Sequence, residues 1–226
     1  MTADSVDAGA LASRVATVRA RIARAADRAG RTPGEVTLIA VSKTRDAGAV
    51  REALATGIHD FGENRVQEGA EKAAALTDGS PRWHLIGHLQ TNKVRAALGA
   101  FAILHSVDSE RLARAISAAA SQPVPIMIEV NVAAEPSKYG VAPGEVAGLL
   151  SVAGNLPNVD VRGLMTVAPH VDDPELVRPV FRELREIAVA NGLRELSMGM
   201  TNDFETAIEE GATYVRVGRA VFGERE

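Results

Sequence analysis

The chain has 226 residues, a formal net charge of −4 and apolar side chains at 46% of its positions, which is enough for one large hydrophobic core. It contains no cysteine, so disulfides, thiolate metal sites and a cysteine nucleophile are excluded. Sparse aromatic residues and the lack of a basic patch argue against nucleic acid as a partner. The absence of an uninterrupted apolar segment near the start argues against a signal peptide or membrane span. We therefore expect a single cytoplasmic domain.

The first predicted element is an amphipathic helix over about residues 8–29, followed by a strand at 36–43. Apolar side chains recur along the helix at a spacing that places them on one face: Leu11, Val15, Val18 and Ile22. The strand reads VTLIAVSK and is apolar up to its final lysine. A run of this kind, too short for a buried helix, is typical of a strand buried on both faces of a parallel sheet.

Seven further strands alternate with helices along the rest of the chain. We predict these strands at 58–61, 83–86, 102–106, 124–131, 159–165, 193–197 and 213–217. Helices are predicted at 46–55, 63–76, 89–98, 109–120, from 143 onward, and at 174–189 and 203–210. Strict alternation over eight strands predicts a single-domain (β/α)8 barrel at about 36–223, with one extra N-terminal helix. An open doubly wound sheet is the alternative, but it usually needs a Gly-rich phosphate turn where this chain has SKTRD.

In a barrel the functional face is built by the loops that follow the strands. Lys43 ends the first strand, where a reactive amine is useful, although a lysine that only reaches into solvent has the same pattern. Loops after other strands are also polar, with the sequences GENR, GHLQ and EPSKYG. We therefore expect the chemistry of the protein at this face.

The loops after the seventh and eighth strands have the pattern of a phosphate site. Thr201 and Asn202 stand where a helix begins, and Gly218 follows a buried strand, where a glycine lets a ligand approach the backbone. Asn202 and Glu205 also have capping-box spacing, so a capped helix and a tight glycine turn are the alternative.

Arg216 lies inside the last predicted strand between two valines, and a buried arginine needs a partner because it keeps its proton. One candidate partner is Glu129 in the fifth strand, and the other is a ring nitrogen of a bound ligand. A lysine at one strand end, a phosphate site and an arginine between them describe a site for pyridoxal phosphate.

A series of motifs also runs between 36 and 223: VSKT, FGENRVQE, WHLIGHLQTNK, HSVDS, EVNV, EPSKYG, RGLMT, SMGMTNDFETAIEEGATYVRVG and AVFG. In this order the motifs resemble those of the pyridoxal phosphate homeostasis protein family. The resemblance implies the fold type III barrel of the alanine racemase N-terminal domain. It also implies a protein that binds pyridoxal 5′-phosphate without an established catalytic activity.

The resemblance assigns roles to individual residues of this chain. It makes Lys43 the lysine that forms an imine with the cofactor, and Arg216 the partner of the pyridine nitrogen. Phosphate contacts would come from Thr201, Gly218 and Arg219, and Asn64 and Met165 would lie beside the ring. Thr201 is a departure, since many family members have serine there, but threonine keeps the hydroxyl.

Other polar residues are predicted to have no part in the site. His84 and His88 straddle a strand end and its loop without a matching carboxylate or cysteine, so we expect loop hydrogen bonds and no metal. Lys138 is the rival to Lys43 but lies in a Pro-containing loop, where a lysine is poorly preorganised. Lys72 and Lys93 are predicted on helices, as surface charges.

The main hypothesis is a monomeric cytoplasmic protein that stores pyridoxal phosphate or delivers it to apo-enzymes, without nucleic-acid or membrane partners. An amino-acid racemase using the same cofactor is the alternative, and a regulatory partner of another protein is a third possibility.

Racemisation needs an acid or base on each face of the cofactor, and Lys43 supplies one face only. In alanine racemase the second acid or base is a tyrosine from another domain. The nine residues after Val217 leave no room for such a domain, although Tyr139 remains a candidate for this role. We therefore expect no catalysis.

Overall fold

Eight parallel strands close into a barrel in the computed structural model, which describes residues 8–77 and 81–224. In chain order they are β1 (Thr37–Val41), β2 (Asp60–Glu63), β3 (Arg82–Leu85), β4 (Ile103–Val107), β5 (Val124–Glu129), β6 (Val159–Met165), β7 (Glu195–Met200) and β8 (Tyr214–Val217). Each strand pairs with the next, and β1 also pairs with β8, so the sheet has no open edge. The predicted (β/α)8 barrel is confirmed.

Helices surround the barrel and separate its strands. They are α1 (Ala8–Arg28), α2 (Ala47–Ala55), α3 (Val66–Ala75), α4 (Val94–Leu98), α5 (Glu110–Ala119), α6 (Val146–Gly154), α7 (Arg178–Ala190), α8 (Phe204–Glu209) and α9 (Arg219–Phe222). Two helices begin at side-chain caps, because Asp46 accepts from the Ala49 amide and Ser109 from the Leu112 amide. Short 3₁₀ turns precede α4, α6 and α7, so these helices begin later than predicted.

The additional helix α1 packs along the outside of the barrel, against α2, α8 and α9. Its predicted apolar face is buried throughout, at Leu11, Val15, Val18 and Ile22. Nowhere in residues 8–77 and 81–224 is a helix both long and apolar enough for a bilayer crossing.

Two strands lie later in the sequence than predicted. The Ile58 amide still donates to Ala53 O at the end of α2, so the apolar run at 58–61 belongs partly to a turn. In the same way, the Leu193 amide donates to Ala188 O, and β7 extends instead to Met200. Gly199 allows this extension, because it has a φ of 90° and a Cβ there would lie 2.5 Å from Ala207 Cβ in α8.

Candidate functional site

A cavity of about 390 Å³ lies at the C-terminal ends of the strands, within the size range of small-molecule sites. Residues from the ends of β1, β2, β3, β6, β7 and β8 and the loops after them line it. Six of the seven predicted site residues are among these: Lys43, Asn64, Thr201, Arg216, Gly218 and Arg219. The seventh, Met165, is fully buried at the end of β6 and does not line the cavity. The fold thus brings these six predicted residues together, although they lie up to 176 positions apart, from 43 to 219.

Lys43 enters the cavity two residues after β1, and both of its neighbours in sequence are held by hydrogen bonds. The Ser42 amide donates to Gly62 O over 3.1 Å, and the Ser42 hydroxyl donates to Glu63 Oε1 over 2.6 Å. On the other side, the Thr44 amide donates to Glu68 Oε1 over 2.6 Å, and Thr44 adopts a left-handed φ of 66°. This conformation is unusual for a β-branched residue and persists where the surroundings impose it.

The prediction that Lys72 is a surface charge is wrong, since only 7% of this residue is exposed. Its ammonium group donates to Ser42 O, Glu63 Oε1 and Glu68 Oε1 at 2.7, 2.6 and 2.8 Å. Burial raises the pKa of Glu63, and the hydrogen bonds from Lys72 and Ser42 oppose this rise. Lys72 therefore joins α3 to the backbone beside Lys43.

Arg216 is 4% exposed and forms part of the cavity wall. Its Nη1 donates to Ser197 Oγ over 2.7 Å, and its Nη2 donates to Thr166 O over 2.8 Å. Burial lowers the pKa of Arg216 to about 10, against the effect of nearby Asp203 and Glu129, so the guanidinium keeps its proton at neutral pH. A guanidinium has five N–H groups. Its fork can therefore serve a ligand as well as these two partners.

Of the two candidate partners of Arg216, Glu129 does not form a salt bridge with it, because among the described residues no carboxylate lies within 4.0 Å of the Arg216 nitrogens. Glu129 is nevertheless buried near this charge. Burial raises the pKa of Glu129 to about 7, and the charge of Asp108 adds to the rise while Arg216 opposes it.

The predicted phosphate loops line the cavity, but the capping box between Asn202 and Glu205 is wrong. Asp203 occupies the N-cap position of α8, and its Oδ1 accepts from the Met200 amide over 2.5 Å. Asn202 lies in the turn before it, where its Oδ1 accepts from Arg219 Nη2 over 3.5 Å. This contact joins the two loops.

Gly218 is the N-cap residue of α9, a helix of four residues that the sequence pattern did not predict. A Cβ at Gly218 would lie 3.5 Å from Val41 O, which is an ordinary contact, and the φ of −105° suits any residue. Conformational freedom therefore does not require a glycine here, and Gly218 places the start of α9 at the cavity wall.

The prediction of loop hydrogen bonds fails for His84, which lies in β3 inside the barrel and is fully buried. Its Nε2 is 2.8 Å from Asp60 Oδ1, and its Nδ1 is 2.9 Å from Nε2 of His105 in β4. His88 does lie in the loop after β3, where its ring stacks on Tyr139 with centroids 3.8 Å apart. No group of three potential metal ligands occurs in the described part of the chain.

Lys138, the rival amine, has two partners of its own. Its ammonium nitrogen is 2.5 Å from Glu135 Oε1 and 3.2 Å from Val167 O. Lys138 is not among the residues that line the cavity, whereas Lys43 is. The structure thus separates the two candidates.

Comparisons with known proteins agree in pointing to one family. Residues 13–226 match the family described as the alanine racemase N-terminal domain. The pyridoxal phosphate homeostasis protein of Aquifex aeolicus is 45% identical over 222 residues, covering 94% of this chain and 97% of the relative. The protein of the same name from Pseudomonas aeruginosa is 44% identical, with 96% of each chain covered. The structure of PipY from Synechococcus elongatus with pyridoxal phosphate bound is 37% identical, with a TM-score of 0.82 over 94% of this chain and all of that one.

Proposed function

Because the chain belongs to the pyridoxal phosphate homeostasis protein family, we propose that it binds pyridoxal 5′-phosphate and takes part in maintaining the cellular supply of that cofactor. One observation carries the proposal: an amine, a buried guanidinium and two phosphate-compatible loops line a single cavity. A pyridoxal phosphate molecule offers an aldehyde, a pyridine nitrogen and a phosphate, which match these three features in kind. The residues present therefore fit the cofactor.

Lys43 is proposed to hold the cofactor covalently. When bound, pyridoxal phosphate supplies an aldehyde that an amine can attack, forming an imine with loss of one water molecule. Lys43 is the lysine at the cavity wall, and the hydrogen bonds on Ser42 and Thr44 limit the movement of its backbone. Such preorganisation favours one amine over a solvated one.

Arg216 is proposed to face the pyridine nitrogen, with Asn64 beside the ring, whereas Met165 does not line the cavity and is not proposed to contact the cofactor. A guanidinium that keeps its proton can only donate, so it leaves that nitrogen unprotonated and makes the ring a weak electron sink. This electronic state favours holding the cofactor over using it for catalysis. The relatives are likewise named for homeostasis rather than for a reaction.

Thr201, Gly218 and Arg219 are proposed to contact the phosphate. Thr201 contributes a hydroxyl, Arg219 a charge, and the backbone at Gly218 the first N–H groups of α9. As further parts of the proposal, the protein acts in the cytoplasm as a monomer, and apo-enzymes that need the cofactor are its partners.

The direct test is to mix the protein with pyridoxal phosphate, record the absorbance spectrum, reduce with borohydride, and determine the intact mass and modified peptide. We expect one adduct, on Lys43, because reduction makes the bond to the amine permanent. Lys43→Ala should abolish the adduct, and the matched control Lys138→Ala should retain it. An adduct chiefly on Lys138 would contradict the assignment of Lys43, and an absence of any binding would contradict the proposed function.

A further inference from the structure

A chain of polar side chains crosses the barrel interior and ends on Arg216. Its members come from five different strands: Asp60 in β2, His84 in β3, His105 in β4, Ser197 in β7 and Arg216 in β8. The successive distances are 2.8 Å, 2.9 Å, 2.9 Å and 2.7 Å. Because β4 and β7 are not neighbours in the sheet, the contact between His105 and Ser197 spans the interior itself.

This row of polar side chains occupies the barrel interior, where apolar side chains usually pack. Barrel interiors are normally packed with branched apolar side chains, which carry no desolvation cost. Here both histidines and Ser197 are fully buried, so their polar atoms depend on one another for hydrogen bonds. Packing alone gives no reason for such a set, since valine or leucine would fill the space at lower cost.

The hydrogen bonds that link these five side chains can run in only one consistent direction. Arg216 can only donate, so the Ser197 oxygen accepts from it, and the Ser197 hydroxyl proton is directed to Nδ1 of His105. His105 Nδ1 is then unprotonated, and the neutral ring carries its proton on Nε2. If Nδ1 carried the proton instead, the Ser197 hydroxyl proton would have no acceptor among these five side chains.

The same direction continues to the far end of the chain. His105 Nε2–H donates to Nδ1 of His84, and His84 Nε2–H donates to the Asp60 carboxylate. Burial lowers the pKa of both histidines, which keeps the rings neutral as this pattern requires. Asp60 is fixed in turn by Arg82, whose Nε and Nη2 donate to its two oxygens over 2.6 and 3.0 Å.

We propose that Asp60, His84, His105 and Ser197 are positioning residues that hold the Arg216 guanidinium in one orientation toward the cofactor ring. Arg216 has two anchors, the Thr166 carbonyl and this chain. Loss of the chain leaves one anchor, about which the guanidinium can rotate. The inference rests on the proposed function, because it assigns these residues to the ring of bound pyridoxal phosphate.

The first test needs no cofactor. Long-range ¹H–¹⁵N NMR of the ligand-free protein at pH 7 reports which ring nitrogen of each histidine carries the proton. We expect neutral rings protonated at Nε2 for both His84 and His105. A proton on Nδ1 of His105, or a charged imidazolium at either position, would overturn the directed chain.

The second test compares two substitutions at His105. His105→Asn places an amide oxygen near the position of Nδ1 and so keeps an acceptor for Ser197, whereas His105→Gln reaches toward His84 and removes that acceptor. We expect His105→Gln to weaken pyridoxal phosphate binding about ten-fold and to shift the absorbance of the bound cofactor, because Ser197 loses the acceptor that orients it and its hydrogen bond from the charged guanidinium weakens. His105→Asn should keep most of the affinity and the wild-type spectrum.

The exposed His59→Gln serves as the control for both variants. Equal affinity and identical spectra for His105→Gln and the wild type would reject the positioning role. If His105→Gln does not fold, Ser197→Ala removes the same link and is held to the same expectation. Failure of the wild type to bind pyridoxal phosphate would reject the proposed function and with it the role toward the ring, while the histidine tautomers would still decide whether the directed chain exists.

Discussion

Buried titratable side chains near the C-terminal ends of the strands have shifted pKa values. Glu129 is the clearest example, because burial raises its pKa to about 7 although its ordinary value is 4.5. The folded protein therefore binds a proton at Glu129 more tightly than the unfolded chain does. By linkage, the contribution of this residue to stability is most favourable below pH 4.5 and declines as the pH rises toward 7.

Glu129→Gln should remove this dependence. We expect the variant to exceed the wild type in free energy of unfolding at pH 8 by at most about 3 kcal/mol, and the difference to vanish near pH 4. Denaturant unfolding at several pH values measures this difference. Glu186→Gln, an exposed change on α7, should show no such trend. A stability difference independent of pH would mean that Glu129 does not titrate in this range.

At the scale of secondary-structure elements, α3 holds the backbone around Lys43, which follows β1. Lys72 in α3 bonds to Ser42 O and to Glu68, and Glu68 accepts from the Thr44 amide. The residues on both sides of Lys43 are thus connected to one helix. Removing the Lys72 charge would also leave Glu63 buried without its cation.

Lys72→Met should destabilise the protein by about 3–5 kcal/mol, because one member of a buried ion pair remains unpaired. It should also slow borohydride-trapped incorporation of pyridoxal phosphate at Lys43. The double variant Lys72→Met/Glu63→Leu removes both charges and should regain much of the stability but not the rate. Wild-type stability in Lys72→Met would show that the ion pair contributes little.

The loop between β7 and α8 and the start of α9 lead to a prediction about the phosphate. If these two segments hold it, pyridoxal should bind far more weakly than pyridoxal phosphate, since it lacks the anion to which the N–H groups would donate hydrogen bonds. Thr201→Ala should weaken binding only modestly, about three-fold, because the remaining donors are largely main chain. Titration by absorbance compares the ligands. Equal affinities for both would remove the phosphate contacts from the proposal.

Sequence periodicity was sufficient to predict the barrel, because alternating strand and helix patterns are local signals. Periodicity did not predict that Lys72 is buried, since a charged residue on an amphipathic helix is normally exposed to solvent. The short helix α9 has too few residues to show a period. The bond between His105 and Ser197 joins residues 92 positions apart on strands that are not neighbours, and no spacing along the chain encodes it.

At the scale of the whole molecule, the position of both tyrosines bears on the racemase alternative. Tyr139 is 56% exposed and stacks on His88, and the Tyr214 hydroxyl donates to Glu195 Oε2 over 3.2 Å. Neither tyrosine lines the cavity that contains Lys43. For Tyr139 to act as the second acid or base opposite the lysine, the loop after β5 would therefore have to rearrange.

We expect the protein loaded with pyridoxal phosphate not to racemise amino acids at an enzymatic rate. Solvent deuterium exchange at the α-carbon of L-alanine and other amino acids, with chiral analysis, provides the measurement. Lys43→Ala is the control for any background reaction. Exchange with inversion at turnover rates, lost in Lys43→Ala and in Tyr139→Phe, would instead favour the racemase and make Tyr139 its second acid.

The pairing of β1 with β8 also has a consequence for the newborn chain on the ribosome. Lys43 leaves the exit tunnel early, whereas Arg216, Gly218 and Arg219 are among the last described residues to be translated. Until β8 arrives, β1 lacks one neighbour, and the cavity lacks its guanidinium and two of the residues proposed to contact the phosphate. Nascent chains would thus contain the proposed imine-forming lysine for many seconds without the other residues proposed to hold the cofactor, since synthesis proceeds at about 5–20 residues per second. Capture of the cofactor as proposed would then wait for β8, and it would mark chains whose barrel has closed.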